Sequence, residues 1–149
     1  MTSFSSDLPA PTPIALVVCD NVYTDRSGKR ALVGLFNKIV ARNFPVRQSK
    51  VCVFVSITSL RPQTVCKLDI VNAETDEPVF ATKEPVPMQE KNPTAICDMV
   101  FELNGVVFPE EGKYFIRFFG NGSLIMQRPF EVVKAKPRGP RRGPQEVDG

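Results

Sequence analysis

Residues 112–133 read GKYFIRFFGNGSLIMQRPFEVV, and this stretch decides the fold. Gly112-Lys113-Tyr114 opens a run in which Phe115 and Phe119 point opposite to Tyr114, Ile116 and Phe118, the period of an extended strand. Gly120-Asn121-Gly122 interrupts it with Asn-Gly, the strongest short hairpin dipeptide. Leu124 to Val133 then returns with Phe130 and Val132 facing in and Glu131 facing out. The stretch reads as an antiparallel hairpin.

The same signature recurs upstream. Runs rich in Val, Ile, Phe and Thr alternate with Gly, Pro, Asn and Asp clusters, and no amphipathic helix stands out. The strands expected are Ile14 to Tyr23, Arg30 to Lys38, Lys50 to Thr58, Thr64 to Val71, Val79 to Thr82 and Ala95 to Leu103, then Lys113 to Phe119 and Leu124 to Val133. Asp25-Arg26-Ser27-Gly28 supplies a glycine for a second hairpin turn, between the first two strands. Asn72 to Pro78 is a polar loop, and the proline-rich Glu84 to Pro93 is expected to cross between sheets. The fold class is therefore an all-β antiparallel sandwich of about eight strands, immunoglobulin-like in the broad sense.

Inward faces follow where alternation is clean: Cys66, Leu68 and Ile70 oppose Lys67 and Asp69, and Cys97, Met99, Phe101 and Leu103 oppose Asp98 and Glu102. Three stretches break the rule. Ile14 to Cys19 is apolar throughout, Val51 to Ile57 places Cys52 and Phe54 opposite four aliphatics, and Tyr114 to Phe119 is apolar on both sides apart from Arg117. A sandwich strand normally wets one face, so such strands call for cover by a loop, a tail or another chain. Phe54, Phe115 and Phe119 are the expected anchors of such an interface, and Cys52 shares the unexplained face.

At 149 residues and 16.6 kDa the chain suits one domain. Histidine is absent, which excludes His-dependent catalytic pairs and His-ligated metals. Residues 1–13, with Pro9, Pro11 and Pro13, read as a disordered lead-in, 14–133 as the domain, and 134–149 as a disordered basic tail. The tail holds Lys134, Lys136, Arg138, Arg141 and Arg142 against Glu146 and Asp148, which accounts for the whole net charge of +3. A neutral body speaks against a broad nucleic-acid face, and contact with nucleic acid or an acidic partner is left to the tail. The cysteines at 19, 52, 66 and 97 form no C-x-x-C pair, and neither a signal peptide nor a membrane span is legible, so a cytoplasmic protein with reduced thiols is expected.

A resemblance accompanies these features. The opening LVVCDNVYTD of residues 16–25, Gly28-Lys29, Leu32 to Phe36 and Phe44-Pro45 resemble an uncharacterised bacterial β-sandwich family, a domain of unknown function. Gly112 to Phe115, Asn121-Gly122 and Arg128 to Val132 resemble the same family and the last hairpin of immunoglobulin-like sandwiches. The resemblance implies a fold and no activity.

Asp20 follows the apolar run 14–19, and a carboxylate there must reach solvent or a partner. Arg117 and Arg128 are the partners expected; the competing reading makes Asp20 a ligand-facing group. With Asp25 and Asn121 it could line a loop site for a small molecule or carbohydrate, although the lack of Trp weakens the sugar version. Asp20, Asn21, Asp25, Asp76 and Glu77 match no ordered calcium loop, so neither a metal nor a cofactor is expected. Glu110 and Glu111 read as solvated turn residues, and no catalytic residue is assigned. The function expected is a non-catalytic interaction or structural module, with a protein partner or a homo-oligomer on an apolar sandwich face. The loop site and the basic tail are the two alternatives.

Overall fold

A computed structural model describes residues 10–59, 64–82, 86–87 and 92–136. Ten strands form: β1 (Thr12–Thr24), β2 (Arg30–Leu35), β3 (Lys38–Ala41), β4 (Val46–Thr58), β5 (Val65–Asn72), β6 (Pro78–Ala81), β7 (Val86–Pro87), β8 (Cys97–Phe108), β9 (Gly112–Gly120) and β10 (Ser123–Lys134). One sheet has the order β2-β1-β4-β8. The other has the order β3-β10-β9-β5-β6, with β7 also on β5. The described chain is all-β, as the alternation requires.

The two sheets bury one face each against the other. From the four-stranded sheet come Leu16, Val18, Val51, Val53, Val55 and Ile57; from the six-stranded sheet come Leu68, Ile70, Tyr114, Ile116, Phe118 and Phe130. Phe108 is wedged among the aromatics, its ring 5.1 Å from Tyr114 and 6.1 Å from Phe130. Fully burying side chains of this size contributes about 1.5–3 kcal/mol each.

Both expected hairpins form. Asn121 and Gly122 take φ of 51° and 83° between the paired Gly120 and Ser123, the two positive values that a type I′ turn needs. In the β1–β2 turn Gly28 takes φ 91°. The chain also passes between sheets from β6 to β8, as the prolines of 84–93 imply, although most of that loop lies outside the described residues.

Four expectations are corrected. Arg30 to Lys38 is not one strand. After Leu35 the chain leaves the first sheet and enters the second as β3, where Ile39 and Ala41 are buried. β3 runs parallel to β10, so the sandwich is not wholly antiparallel. Ala95 to Leu103 stops short, because β8 continues through Asn104-Gly105: at Gly105 (φ 71°) the buried set changes from Met99 and Leu103 to Val106 and Phe108. The ends are also more ordered than the domain boundaries 14 and 133 allowed. β1 starts at Thr12, Pro11 is buried, and Ala135 N–H donates to Ala41 O at 2.7 Å.

The β8–β9 corner carries a tyrosine whose hydroxyl reaches back along the chain. Tyr114 Oη donates to Glu110 O at 2.6 Å, the tyrosine corner that recurs at this position in immunoglobulin-like sandwiches. With the two-sheet order, this makes the fold immunoglobulin-like in the broad sense. Removing only the hydroxyl, in Tyr114→Phe, is expected to lower unfolding free energy by about 1 kcal/mol in urea titrations, with the near-ultraviolet spectrum otherwise native.

Burial also sets an alkaline limit. Cys66, between the sheets, has its thiol pushed up to about 12 by burial and secondarily by neighbouring Cys97. A folded pKa above the unfolded value gives stability that is complete below about 9 and lost as pH rises toward 12. Unfolding free energies from denaturant titrations are expected to fall through that window by about 1.4 kcal/mol per pH unit for each thiol involved, with Cys66→Ala showing a shallower decline.

Candidate functional site

The candidate polar residues turn out to be partners of other groups than those expected. Arg117 does not meet Asp20. It lies across β9 and β5 from Asp69, with Nε donating to Oδ1 at 2.8 Å and Nη2 to Oδ2 at 2.7 Å, and its guanidinium sits 5.2 Å over the Phe119 ring. The Asp69 hydrogen bonds raise the Arg117 pKa further above its ordinary value. Arg128 does not meet Asp20 either: Nη1 donates to Leu16 O at 2.8 Å and Nη2 to Asn37 Oδ1, which ties β10 to β1 in the opposite sheet. Both arginines are spent on the scaffold.

Asp20 lies within β1 rather than at its end, and it is exposed, so its carboxylate reaches solvent directly. It lies opposite Gly34 on β2, and a Cβ added to Gly34 would stand 2.5 Å from Asp20 Oδ2. The two border an open cleft of about 310 Å³ where β2 hands the chain over to β3, with Leu35, Phe36, Lys38 and Gln48 completing the walls. Asp25 is consumed by its own turn. Its Oδ1 accepts from Ser27 N, Ser27 Oγ and Lys29 N at 2.8, 2.7 and 2.9 Å, which holds its carboxyl below the usual range, the Ser27 hydroxyl contributing most.

Asn121 sits at the other end of the sandwich. It binds the start of β5 twice, accepting from Val65 N through Oδ1 at 2.9 Å and donating its own N–H to Val65 O at 2.8 Å; its Nδ2 is buried with no hydrogen-bond partner found. Its neighbour Gly120 packs on Pro11 at the start of β1, whereas Asp25 follows the end of that strand. Thirteen strand residues span about 40 Å. Asp20, Asp25 and Asn121 therefore do not share a loop site, and among the described residues no three Cys, Asp or Glu side chains converge as metal ligands.

The aromatic anchors are divided as well. Phe54 lies on the outer face of the four-stranded sheet, while Phe115 and Phe119 lie on the outer face of the six-stranded sheet, so one interface cannot use all three. The Phe115 and Phe119 face carries the Asp69–Arg117 pair and exposed Lys67. The Phe54 face is apolar at its centre. Phe54 lies between Val17 of β1 and Val100 of β8, and β2 adds Val33 and Leu35, 47% and 64% exposed. In the same face Cys19 and Cys52 stand opposite each other at 0% and 2% exposure.

Polar groups border this apolar centre. Lys50 Nζ donates to Asn21 Oδ1 at 2.7 Å and pairs with Glu102 at 3.3 Å; at the other end Ser56 Oγ donates to Asp98 Oδ1 at 2.7 Å. Reading the strands one at a time found Phe54 and Cys52 but missed Val17, Val33, Leu35 and Val100. The available signal was Val100, an aliphatic between Asp98 and Glu102 on the side taken to be polar. Of the tail cations, Lys134 belongs to β10, its N–H donating to Glu111 Oε2 at 3.2 Å, and Lys136 is exposed. Arg138, Arg141 and Arg142 lie outside the described residues.

Over residues 14–133 the sequence matches the family of unknown function DUF6941. The chain belongs to that family. No curated protein matches this chain. Among solved structures, the chain is similar to the alkylpurine DNA glycosylase AlkC of Pseudomonas fluorescens bound to DNA containing an abasic-site analogue, at 10% identity and a TM-score of 0.43 over 79% of this chain; it spans 30% of the glycosylase. It is also similar to an immunoglobulin-like protein of Pseudomonas aeruginosa, at 15% identity and a TM-score of 0.41 over 83% of this chain and 97% of the other.

Two measurements test the polar assignments. Asp20→Ala is expected to change stability by less than about 0.5 kcal/mol, as an exposed side chain should, whereas Gly34→Ala, at φ 75° against that carboxylate, loses about 1–3 kcal/mol. The Ser27 and Lys29 amide shifts should titrate with Asp25: a lowered folded pKa keeps the turn intact at neutral pH and releases it only as pH falls below the usual carboxylate range.

Proposed function

We propose that this DUF6941 domain is a non-catalytic interaction module, at work in the cytoplasm, that docks through the outer face of its β2-β1-β4-β8 sheet, with a second copy of the chain as occupant. The observation that carries this reading is the apolar centre Val17, Val33, Leu35, Phe54 and Val100 inside a polar border, the anatomy of a protein interface. The Lys50 and Glu102 of the border neutralise each other, so that edge raises no like-charge repulsion against a second copy of the same face. The six-stranded sheet's outer face carries the Asp69–Arg117 pair and exposed Lys67 among its aromatics, which makes it the weaker candidate.

A second reading is favoured by the Asp20 cleft. A carboxylate, an ammonium from Lys38 and the Gln48 amide around about 310 Å³ suit a small zwitterionic molecule better than a sugar. The basic tail is a third possibility, and its test must cut after Lys136. A cut at Val133 would remove the last strand residue and the Ala135–Ala41 hydrogen bond.

Sedimentation of the full chain is expected to show a concentration-dependent dimer that Phe54→Glu abolishes and Phe119→Glu leaves intact, both variants being folded by circular dichroism. A monomer at all concentrations overturns the second-copy reading, and a dimer lost only on truncation after Lys136 transfers the role to the tail.

A further inference from the structure

Cys19 and Cys52 are as buried as any core residue, yet they stand outside the cluster that joins the two sheets. They face each other across β1 and β4 on the outer side of the four-stranded sheet. Directly opposed residues on antiparallel strands hold their Cβ atoms about 4.5–5.5 Å apart, and a disulfide takes about 3.5–4.5 Å. The remaining approach lies within side-chain rotation and a small closing of the strands. Both sulfurs already lean toward the same short piece of β1, Cys19 Sγ donating to Asn21 O at 3.4 Å and Cys52 Sγ to Asp20 O at 3.5 Å.

We propose that Cys19 and Cys52 are a reversible disulfide site, closed by a peroxide and reopened by a thiol reductant. In the first step one thiolate attacks a peroxide oxygen, the O–O bond breaks, and the sulfur leaves as a sulfenic acid while water is released. In the second step the other thiolate attacks that sulfur, the S–O bond breaks, and a second water departs. Two electrons pass from the sulfurs to the peroxide, and no further reactant is needed.

The surroundings favour this pair over Cys66. Among the described residues no strand layer covers the outer face, and the cross-strand neighbours on that face are side chains: Leu35 opposite Cys19, and Glu102 opposite Cys52 with Lys50 paired to it. Rotating side chains opens that path. Cys66 lies between the sheets, where reaching it requires the sandwich to part. Burial raises both outer thiols, each with charged neighbours that act on it, so the attacking thiolate is scarce at neutral pH and the bond should close faster as pH rises.

The test is disulfide mapping of the full-length reduced chain after hydrogen peroxide, with remaining thiols alkylated and the protein digested. The expected product has lost two hydrogens, yields one cross-linked peptide containing Cys19 and Cys52, leaves Cys66 and Cys97 alkylatable once denatured, and returns to the reduced mass with dithiothreitol. In Cys52→Ser, if folded, Cys19 should instead accumulate a dimedone-reactive sulfenic acid. Four intact thiols, a first bond between Cys66 and Cys97, or a bond between chains would each overturn the proposal. Mapping on the unsubstituted protein decides it even if the variant fails to fold, and reads the bond whether or not anything docks on that face.

Discussion

The structure depends on one packing constraint: the odd-numbered side chains of β4 from Val51 to Ile57 must be covered by the even-numbered side chains of β9 from Tyr114 to Phe118. These residues are 0–2% exposed, and each lies at the centre of its sheet with partners on both sides. Once they meet, the facing of every other strand follows from register, because a slip of one residue would invert an entire sheet. The same constraint sends Cys52 and Phe54 outward, however apolar they are.

Polar groups are arranged around that constraint and explain why the candidate cations are structural. Arg128 leaves β10 to satisfy a β1 carbonyl, a hydrogen bond between the two sheets that no apolar contact could replace. Arg117 and Asp69 neutralise each other on a wet face, and the flat guanidinium covers part of Phe119. Tyr114 spends its hydroxyl on the corner, which lets a large ring lie at 0% exposure without an orphaned polar atom. Asp20, by contrast, is left in solvent beside a cleft.

The two outer faces consequently differ in kind. One is charged. The other has an apolar centre, a mixed-charge border and two opposed thiols beneath it. The proposed docking surface and the proposed disulfide lie on the same strands, since Cys19 and Cys52 pair across β1 and β4 in the register that also sets Val17 opposite Phe54.

Local order was legible in the sequence wherever the cause was local. Alternation found the core of β5 and β10, Asn121-Gly122 found its turn through the backbone freedom of those two residues, and Asp25 found its turn through a side chain that bonds amides two and four positions ahead. The same Asn-Gly dipeptide at 104–105 lies inside a strand, because β4 is alongside to pair with it and Gly105 is needed beside Arg47. What the sequence could not carry were relations between distant segments: the parallel match of β3 with β10, Arg117 with Asp69, Cys19 with Cys52, and the separation of Phe54 from Phe119 onto opposite faces. Composition and period determined that this chain makes strands with buried faces, since those depend on neighbours one to four residues away. Which faces meet and which are left outward was decided only in three dimensions, where burial and pairing act between residues tens of positions apart.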